Sequence, residues 1–414
     1  MAGFIEVLRS GAWLSRERMR LVAWLLLGFS FAAVVFIAAT SDGLNDRFGR
    51  PLGTDYSNAY AAGTYVLDGM PSAPFDPPRQ FAREQAIFGQ ATQFYGWHYP
   101  PFFLGLAALL ATMPYWLSLL VWQGTTVVLY LLSIRAIVGT AGVSSKEWLP
   151  LALAFPAVIV CLGQGHNGFL TAALFAAALT QLDRRPLLAG LLIGLIAYKP
   201  QFGLLWPLAL AASGRWRVFA TAAATVAVLA VLVTLAFGID VWSAFLASTK
   251  FTRSVVLEQG DTGWYKIQSV FSWVRLWGGS VDFAYAAQGA ILLAVAASIA
   301  WLWRGKAAFP LKAAALLIGT LLATPYSLDY DLMLLAPAIA YLAVDGLQRG
   351  FAPWQKTILA ALWIVPLVAR SVPQAALIPL AVPIMLAAFV ILLRRAIYEL
   401  GISRIWQFAP PPLK

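Results

Sequence analysis

Apolar runs long enough to cross a bilayer recur along nearly the whole of this 414-residue chain. A transmembrane helix needs roughly 20 consecutive apolar residues, and the first such run covers Leu21 to Thr40. Charged residues make up 11% of the chain, against roughly 25% in soluble domains. In lipid, backbone polar groups must be satisfied within the fold, which these runs can do as helices. We therefore expect an all-α polytopic membrane protein, with residues 1–414 forming one integral-membrane domain.

The basic residues predict the orientation of the chain. The net charge is +11, but clusters such as Arg184-Arg185 and Arg394-Arg395 fall at alternate ends of successive apolar runs. This is the positive-inside pattern and not a nucleic-acid footprint. Arg16, Arg18 and Arg20 precede the first run, which predicts an uncleaved signal anchor with a cytoplasmic N-terminus. A short chain without a eukaryotic sorting signal is interpreted as a protein of a bacterial inner membrane.

Two long polar loops lie on the outer, periplasmic face in this topology, at residues 41–99 and 238–283. The first is predicted to carry two amphipathic helices on the membrane surface, roughly Tyr56–Leu67 and Pro78–Phe88. Short apolar segments on either side of Lys199-Pro200 predict a broken or re-entrant pair, because proline disfavours helical geometry at the residue before it. Residues 100–138 fit neither one crossing nor two, and we expect about 10–12 spans in total.

Asp55 is the leading candidate for chemistry. It opens the polar, aromatic stretch Thr54-Asp55-Tyr56-Ser57-Asn58-Ala59-Tyr60 directly after the first apolar run. A carboxylate at the rim of a membrane cavity can take a proton from a substrate that arrives from the lipid. The alternative role is a helix N-cap, and the two roles are compatible.

The two histidines of the chain, His98 and His166, are both assigned to the outer face. They lack the spacing and the third ligand of a metal site. Each is predicted to hydrogen-bond a sugar or a phosphate, with Gln164 and Asn167 beside His166. A purely structural histidine is the alternative for either one.

Several cations are candidates for binding a phosphate. Lys199 is an ionisable residue within the membrane, where such residues are functional candidates, although snorkelling to the interface is the alternative. The second outer loop combines Arg253, Lys266, Trp264 and Gln268. Basic side chains bind phosphate and aromatic faces cover a sugar ring, whereas an ordinary solvated loop is the other interpretation.

Asp329 and Asp331 flank Tyr330, shortly after Tyr326. The Asp-X-Asp spacing resembles the metal-binding motif of soluble nucleotide-sugar transferases, but Asp329 can equally cap the helix that follows. We predict no metal here.

Motifs for phosphate-binding loops, dinucleotides and serine hydrolases do not occur. Activation must therefore come with the substrate or from a gradient. Three classes remain open: an enzyme using an activated lipid substrate, a secondary transporter, and a non-catalytic protein of envelope assembly.

Short motifs in a fixed order resemble the family 87 glycosyltransferases, also catalogued as a domain of unknown function. The matching elements are Asp55-Tyr56 with Tyr60 and Leu67-Asp68-Gly69, Tyr99-Pro100-Pro101, Gly163-Gln164-Gly165-His166-Asn167, Ala189-Gly190 to Lys199-Pro200-Gln201, Arg215-Trp216-Arg217, Gln268-Ser269, and Thr324-Pro325 to Asp331. Relatives often carry a histidine where this chain has Asp329-Tyr330.

The resemblance implies a GT-C fold whose active site faces away from the cytoplasm, with Asp55 as the catalytic base. Expected contacts to the donor phosphate and sugar are Lys199, Arg253, Lys266, His98, His166, Asn167, Gln164, Gln268, Tyr326, Asp329 and Tyr330. Expected contacts to the acceptor are Tyr56, Tyr60 and Trp264.

The expected reaction is transfer of a hexose, by family analogy mannose, from a polyprenyl-phosphate carrier to a lipid or glycan acceptor. It would be a single displacement with inversion, without metal or other cofactor. The expected partners are the lipid-linked donor, the acceptor and membrane lipids, with no nucleic acid.

Overall fold

The computed structural model describes residues 2–401. Helices make up 77% of it, and no strand forms among these residues. The predicted all-α polytopic fold is confirmed, because helices satisfy the backbone hydrogen bonds of an apolar chain within each segment.

The helices of the first half are, in chain order, α1 (Ala2–Ser10), α2 (Arg16–Thr40), α3 (Thr54–Leu67), α4 (Pro77–Phe88), α5 (Leu104–Ala111), α6 (Tyr115–Val138), α7 (Ser145–Leu153), α8 (Pro156–Gln164), α9 (Gly168–Gln181) and α10 (Pro186–Leu195). Those of the second half are α11 (Pro200–Gly203), α12 (Trp206–Ala212), α13 (Trp216–Phe237), α14 (Asp240–Phe251), α15 (Val270–Leu276), α16 (Val281–Arg304), α17 (Phe309–Ala323), α18 (Leu335–Arg349), α19 (Gln355–Ile364), α20 (Ser371–Ala376) and α21 (Ala381–Glu399).

Six segments of the described chain are long and apolar enough to cross a membrane alone: α2, α6, α13, α16, α21, and Asp329–Arg349, which contains α18. The pair α7 and α8, bent by 50° at its junction, adds a seventh if it counts as one span. Shorter apolar helices of 10–17 residues accompany them. Length and composition do not decide which of these cross, so the expected 10–12 crossings stay a prediction.

The first outer loop contains the two predicted helices, α3 and α4. Most of α3 is covered by protein, since it packs closely against α5. A Cβ at Gly63 would overlap the backbone carbonyl of Ala107, so only glycine permits this approach. On α4, Gln80, Glu84 and Phe88 face inward and are buried. The loop is thus docked on the bundle by its inner faces, and its location on the membrane surface stays a prediction.

The predicted break at Lys199 is confirmed. A short 3₁₀ turn, Ile196–Tyr198, follows α10, and Lys199 itself is non-helical (φ −130°, ψ 73°). Pro200 begins α11, which agrees with its steric effect on the preceding residue. Residues 100–138 divide at Pro114 into the short α5 and the full-length α6.

The centre of the bundle is formed by α9, α17 and the segment Asp329–Arg349, most of whose side chains are buried. In contrast, Ala23 is the one buried residue of α2. The turn 324–331 that joins α17 to the next segment therefore lies inside the bundle, and it positions the charged residues described below.

Candidate active site

Asp55 lies in the first turn of α3, and the aromatic residues beside it fix that helix start. Gly53 is the N-cap in the left-handed conformation, with no side-chain cap, so the alternative of Asp55 as an N-cap is wrong. The Tyr115 hydroxyl donates to the carbonyl of Leu52 at 2.5 Å. Tyr56 hydrogen-bonds Ser118 on α6. These two hydrogen bonds hold the start of α3 against α6.

The turn that follows α8 packs against the same helix start. Trp122 donates its indole N–H to the Gly165 carbonyl at 3.0 Å. Gly165 has a φ of 65°, and a Cβ there would overlap Tyr56 and approach Gly53. Glycine is required at this position for both its conformation and the close approach, which brings His166 and Asn167 next to Asp55.

Asp55, Tyr99, His166 and Asn167 line a cavity of about 10 Å³, whose remaining lining is mostly apolar and aromatic. That is space for about one water molecule. A sugar ring is larger than this cavity.

The Asp55 carboxylate is unpaired within residues 2–401, where no hydrogen bond or ion pair to it forms, and part of the side chain is accessible. Burial in the surrounding protein raises its pKa to about 7. The positive charge of Arg370 opposes this rise, Asp329 adds to it, and Lys199 and Lys266 oppose it. A carboxyl group that titrates near neutrality can act as a base and then release its proton.

Lys199 and Asp331 form a buried ion pair. The Lys199 ammonium donates to Asp331 Oδ1 at 2.6 Å, and both side chains are nearly inaccessible. Asp331 Oδ2 also accepts from the Leu328 backbone N–H at 3.0 Å. The charge of Lys199 is therefore matched inside the protein, and a phosphate would have to compete with Asp331 for it. The predicted phosphate contact by Lys199 stays a prediction.

Arg370 is a component of the site that the sequence did not reveal. Its guanidinium binds Asp329 through two hydrogen bonds, at 2.5 Å and 3.0 Å. The Asp329 side chain is 3% exposed and that of Arg370 40%, so the guanidinium remains partly open. Its one sequence signal was a lone cation in the proline-rich stretch after α19, far in sequence from every other motif.

Gln268 forms hydrogen bonds to the segments on either side of the Arg370–Asp329 pair. Its side-chain amide donates to the Ala369 carbonyl at 2.7 Å, and its backbone N–H donates to the Ser327 carbonyl at 2.6 Å. The side chain is fully buried. Gln268 was predicted to contact the sugar donor; here it joins the second outer loop to the segments carrying Asp329 and Arg370.

The two histidines lie in different environments. His166 is stacked on Tyr330 with ring centroids 3.4 Å apart, its Nε2 is 3.3 Å from the Tyr99 hydroxyl, and its Nδ1 is unpartnered among the described residues. His98 Nδ1 is 2.9 Å from the Thr252 hydroxyl, which links the two outer loops. Burial lowers the pKa of His98 to about 4 and that of His166 well below its usual value, so both rings are neutral at physiological pH.

The remaining predicted contacts differ in how they are engaged. Asn167 lines the cavity, is buried, and leaves Oδ1 unpartnered among the described residues. Gln164 ends α8 outside the cavity lining. Tyr326 is half-buried against the second outer loop. The expected contacts of Asn167, Gln164 and Tyr326 with the sugar donor stay predictions.

The loop cations and acceptor residues are partly committed to internal contacts. Arg253 is exposed and paired with Glu258 at 2.8 Å. Lys266 lies beside the Tyr265 ring, and among residues 2–401 no carboxylate pairs with it. The polar atoms of the predicted acceptor residues also bind within the protein: Tyr56 to Ser118, Tyr60 to the Met113 carbonyl, and Trp264 to the Leu257 carbonyl.

Metal ligands are not grouped in the described part of the chain, where no three His, Cys, Asp or Glu side chains are placed to hold one ion. Independence from metal stays a prediction.

The arrangement of an unpaired carboxyl, two neutral histidines and several cations suits transfer chemistry on a phosphorylated substrate. The model of glycosyltransferase family 87 matches residues 97–325, more than half of the chain. No curated protein and no solved structure matches the chain. Asp55, Asp329 and Arg370 lie outside the matched range, which includes His98, His166, Lys199 and Gln268. The chain therefore belongs to glycosyltransferase family 87 and is a membrane glycosyltransferase.

Proposed function

We propose that the protein transfers a hexose, expected to be mannose, from a polyprenyl-phosphate carrier to a lipid or glycan acceptor, with Asp55 as the base. The observation that carries this proposal is the Asp55 carboxyl itself. It is unpaired within residues 2–401, partly accessible, and has a pKa of about 7. A base is most effective when its pKa lies near the working pH.

In the proposed reaction the acceptor hydroxyl attacks the anomeric carbon from the face opposite the phosphate. The new bond joins the acceptor oxygen to that carbon, and the bond from the carbon to the phosphate oxygen breaks. The hydroxyl proton passes to Asp55, and the polyprenyl phosphate leaves with the bonding electron pair. The anomeric configuration is inverted, as in the single displacement of inverting glycosidases.

The leaving phosphate needs positive charge, and Arg370 and Lys266 are best suited to supply it. Arg370 keeps 40% of its side chain exposed while paired with Asp329, and Lys266 has no carboxylate partner within residues 2–401. Both contribute to the potential at Asp55. Lys199 would have to give up a buried ion pair first, and Arg253 is not among the charges that shift the pKa of Asp55. Fixed charges in a site shielded from water stabilise the leaving group strongly.

Buried polar atoms on the cavity wall support recognition of sugar hydroxyls. The Asn167 amide oxygen and His166 Nδ1 are both unpartnered among the described residues. A buried polar atom costs free energy unless it is hydrogen-bonded, and hydroxyl groups of a sugar provide the matching donors and acceptors.

The active site is proposed to face the periplasm of a bacterial inner membrane, with the N-terminus in the cytoplasm. The charge distribution of the sequence supports this orientation. A carrier of polyprenyl type would keep its tail among the exposed apolar helices and its head at Asp55.

The direct test is transfer of radiolabelled mannose from polyprenyl-phosphate-mannose to a membrane lipid extract. Asp55→Asn should lower the rate by roughly 10²–10⁴-fold, the usual contribution of a general base. The matched control is Asp76→Asn, which changes an exposed carboxylate of the same outer loop and should leave the rate unchanged. Near-normal turnover by Asp55→Asn would overturn the assignment, whereas uptake of a soluble sugar into proteoliposomes without transfer would favour a transporter.

Catalysis is proposed to need no metal, because cations of the protein itself are available for the phosphate. Transfer should therefore persist in EDTA. A complete loss that Mg²⁺ reverses would instead make Asp329 and Asp331 metal ligands.

A further inference from the structure

A second cavity lies at the start of α10. Its volume is about 580 Å³, and it is lined by Arg185, Pro186, Leu187, Leu188 and Arg217. The helical stretch from Pro186 to Tyr198 separates it from Lys199, which at 1.5 Å per residue is roughly 20 Å. This cavity is distinct from the transferase site, and its volume is in the range of ligand-binding pockets.

Two of the lining side chains are cations without an acidic partner. Arg185 and Arg217 are exposed, and neither forms an ion pair within residues 2–401. The neighbouring Arg215, in contrast, binds Asp183 at 2.9 Å. The cavity therefore combines two available guanidinium groups with the apolar side chains of Leu187 and Leu188.

The packing of α10 on α13 fixes the backbone positions of the two arginines relative to each other. A Cβ at Gly190 or Gly194 would overlap Thr221 or Thr225, respectively, so the two helices are in close contact. Both begin at this cavity, without a side-chain cap and without an acidic residue in the first turn. The positive ends of the helices add to the positive potential there.

We propose that this cavity binds the phosphate headgroup of an anionic phospholipid. Charge complementarity favours an anion, since each guanidinium can donate two hydrogen bonds to phosphate oxygens. The apolar wall distinguishes a lipid from a free anion: Leu187 is 66% exposed and offers a surface for the first methylene groups of an acyl chain. Basic pockets between transmembrane helices bind lipid headgroups in this way.

The positive-inside rule alone would also place arginines at this end, but it predicts a diffuse charge in which each arginine counts equally. The test separates the two explanations. The full-length protein in detergent is titrated with phosphatidylglycerol or phosphatidylcholine, and bound lipid is counted by native mass spectrometry. Wild type should bind phosphatidylglycerol saturably and in preference to phosphatidylcholine.

The double variant Arg185→Gln/Arg217→Gln should weaken phosphatidylglycerol binding by about tenfold or more. Arg184→Gln is the matched control, because Arg184 is adjacent and exposed but does not line the cavity, and it should bind as wild type does. If the double variant fails to fold, the single variant Arg217→Gln is titrated with phosphatidylglycerol in its place.

Equal losses in Arg184→Gln and in the cavity variants would overturn the proposal in favour of diffuse charge. Unchanged binding by the cavity variants would also overturn it. Displacement of the lipid by millimolar inorganic phosphate would identify the ligand as a free anion and not a lipid. Because the readout is lipid binding and not transfer, none of these results depends on the transferase assignment.

Discussion

Asp55 and Asp331 belong to one charged cluster, but their carboxyl groups differ in their interaction partners. Asp331 is buried against the Lys199 ammonium and also accepts a backbone N–H. Asp55 has neither kind of partner among residues 2–401, and it keeps part of its side chain accessible to the cavity.

The difference separates a structural carboxylate from a reactive one. A buried ion pair fixes its two charges, and removing one partner leaves the other uncompensated. An unpaired carboxyl in a desolvated place has a raised pKa and can exchange a proton. The cluster therefore contains two ion pairs, Lys199–Asp331 and Arg370–Asp329, beside one unpaired carboxyl group, that of Asp55.

The largest expected effect comes from breaking the Lys199–Asp331 ion pair. Lys199→Met leaves Asp331 buried without a partner and should destabilise the protein by about 3–5 kcal/mol, measured by thermal unfolding in detergent. Lys199→Met/Asp331→Leu should recover much of the loss. Arg253→Gln is the control, since it removes a cation from an exposed pair and should change little. A Lys199→Met protein as stable as wild type would contradict the pairing.

A second effect concerns Arg370. Arg370→Gln should lower transfer by roughly 10²–10³-fold, as loss of a fixed charge at a developing anion does. The informative comparison is Arg370→Gln/Asp329→Asn, which removes both members of the pair. If Arg370 binds the phosphate, the double variant stays inactive; if Arg370 serves only to neutralise Asp329, the double variant recovers. Arg47→Gln, an exposed arginine of the first outer loop, should leave transfer unchanged.

A third effect tests how the site is positioned. Gly165→Ala forces a Cβ into Tyr56 and places alanine at a φ of 65°, which costs about 1–2 kcal/mol for the conformation alone. Both the unfolding temperature and the transfer rate should fall. Gly163→Ala in the same motif has open space around it and should behave as wild type. Equal behaviour of the two variants would mean that this turn does not hold Asp55 in place.

The smallest expected effect is the dependence of the rate on pH. The pKa of Asp55 is raised from 3.8 to about 7, so the fraction of the basic carboxylate grows as pH rises through 7. The rate of transfer should increase from pH 6 to pH 8 and then level off. The folded state also holds this proton more tightly than the unfolded state, so stability should fall as pH rises from about 4 to about 7.

Glu84 is the control for that profile, because burial raises its pKa to about 8 and it accepts the Tyr95 backbone N–H at 3.0 Å. Glu84→Gln removes this second titrating carboxyl of the loop and should keep the rise in rate. A flat profile in wild type, or loss of the rise in Glu84→Gln, would contradict the role of Asp55.

The sequence predicted the parts of this site that are rare in a membrane chain. Asp55, His166 and Lys199 stand out because polar residues are few between apolar runs, and the break at Lys199 follows from Pro200. The same reasoning misjudged the cap of α3. It treated Asp as the preferred capping residue, whereas Gly53 takes the left-handed conformation that begins the helix.

The pairing of charges was not predictable from the sequence. Lys199 and Asp331 are separated by 132 positions and meet only because the broken segment after α10 packs against the turn after α17. Arg370 joins Asp329 across 41 positions, from a stretch with no motif of its own. Since the role of a charge depends on its partner, the sequence identified candidate groups but not which of them remain available.

The central claim is that Asp55 is the catalytic base, whereas Asp331 stabilises the fold through its ion pair with Lys199. One paired measurement tests this claim most directly. Asp55→Asn and Asp331→Asn are compared with wild type for transfer from polyprenyl-phosphate-mannose and for thermal unfolding of the same preparations. The account predicts that Asp55→Asn unfolds no earlier than wild type but transfers at least about 100-fold more slowly, whereas Asp331→Asn unfolds clearly earlier. Normal transfer by a stable Asp55→Asn protein would contradict it.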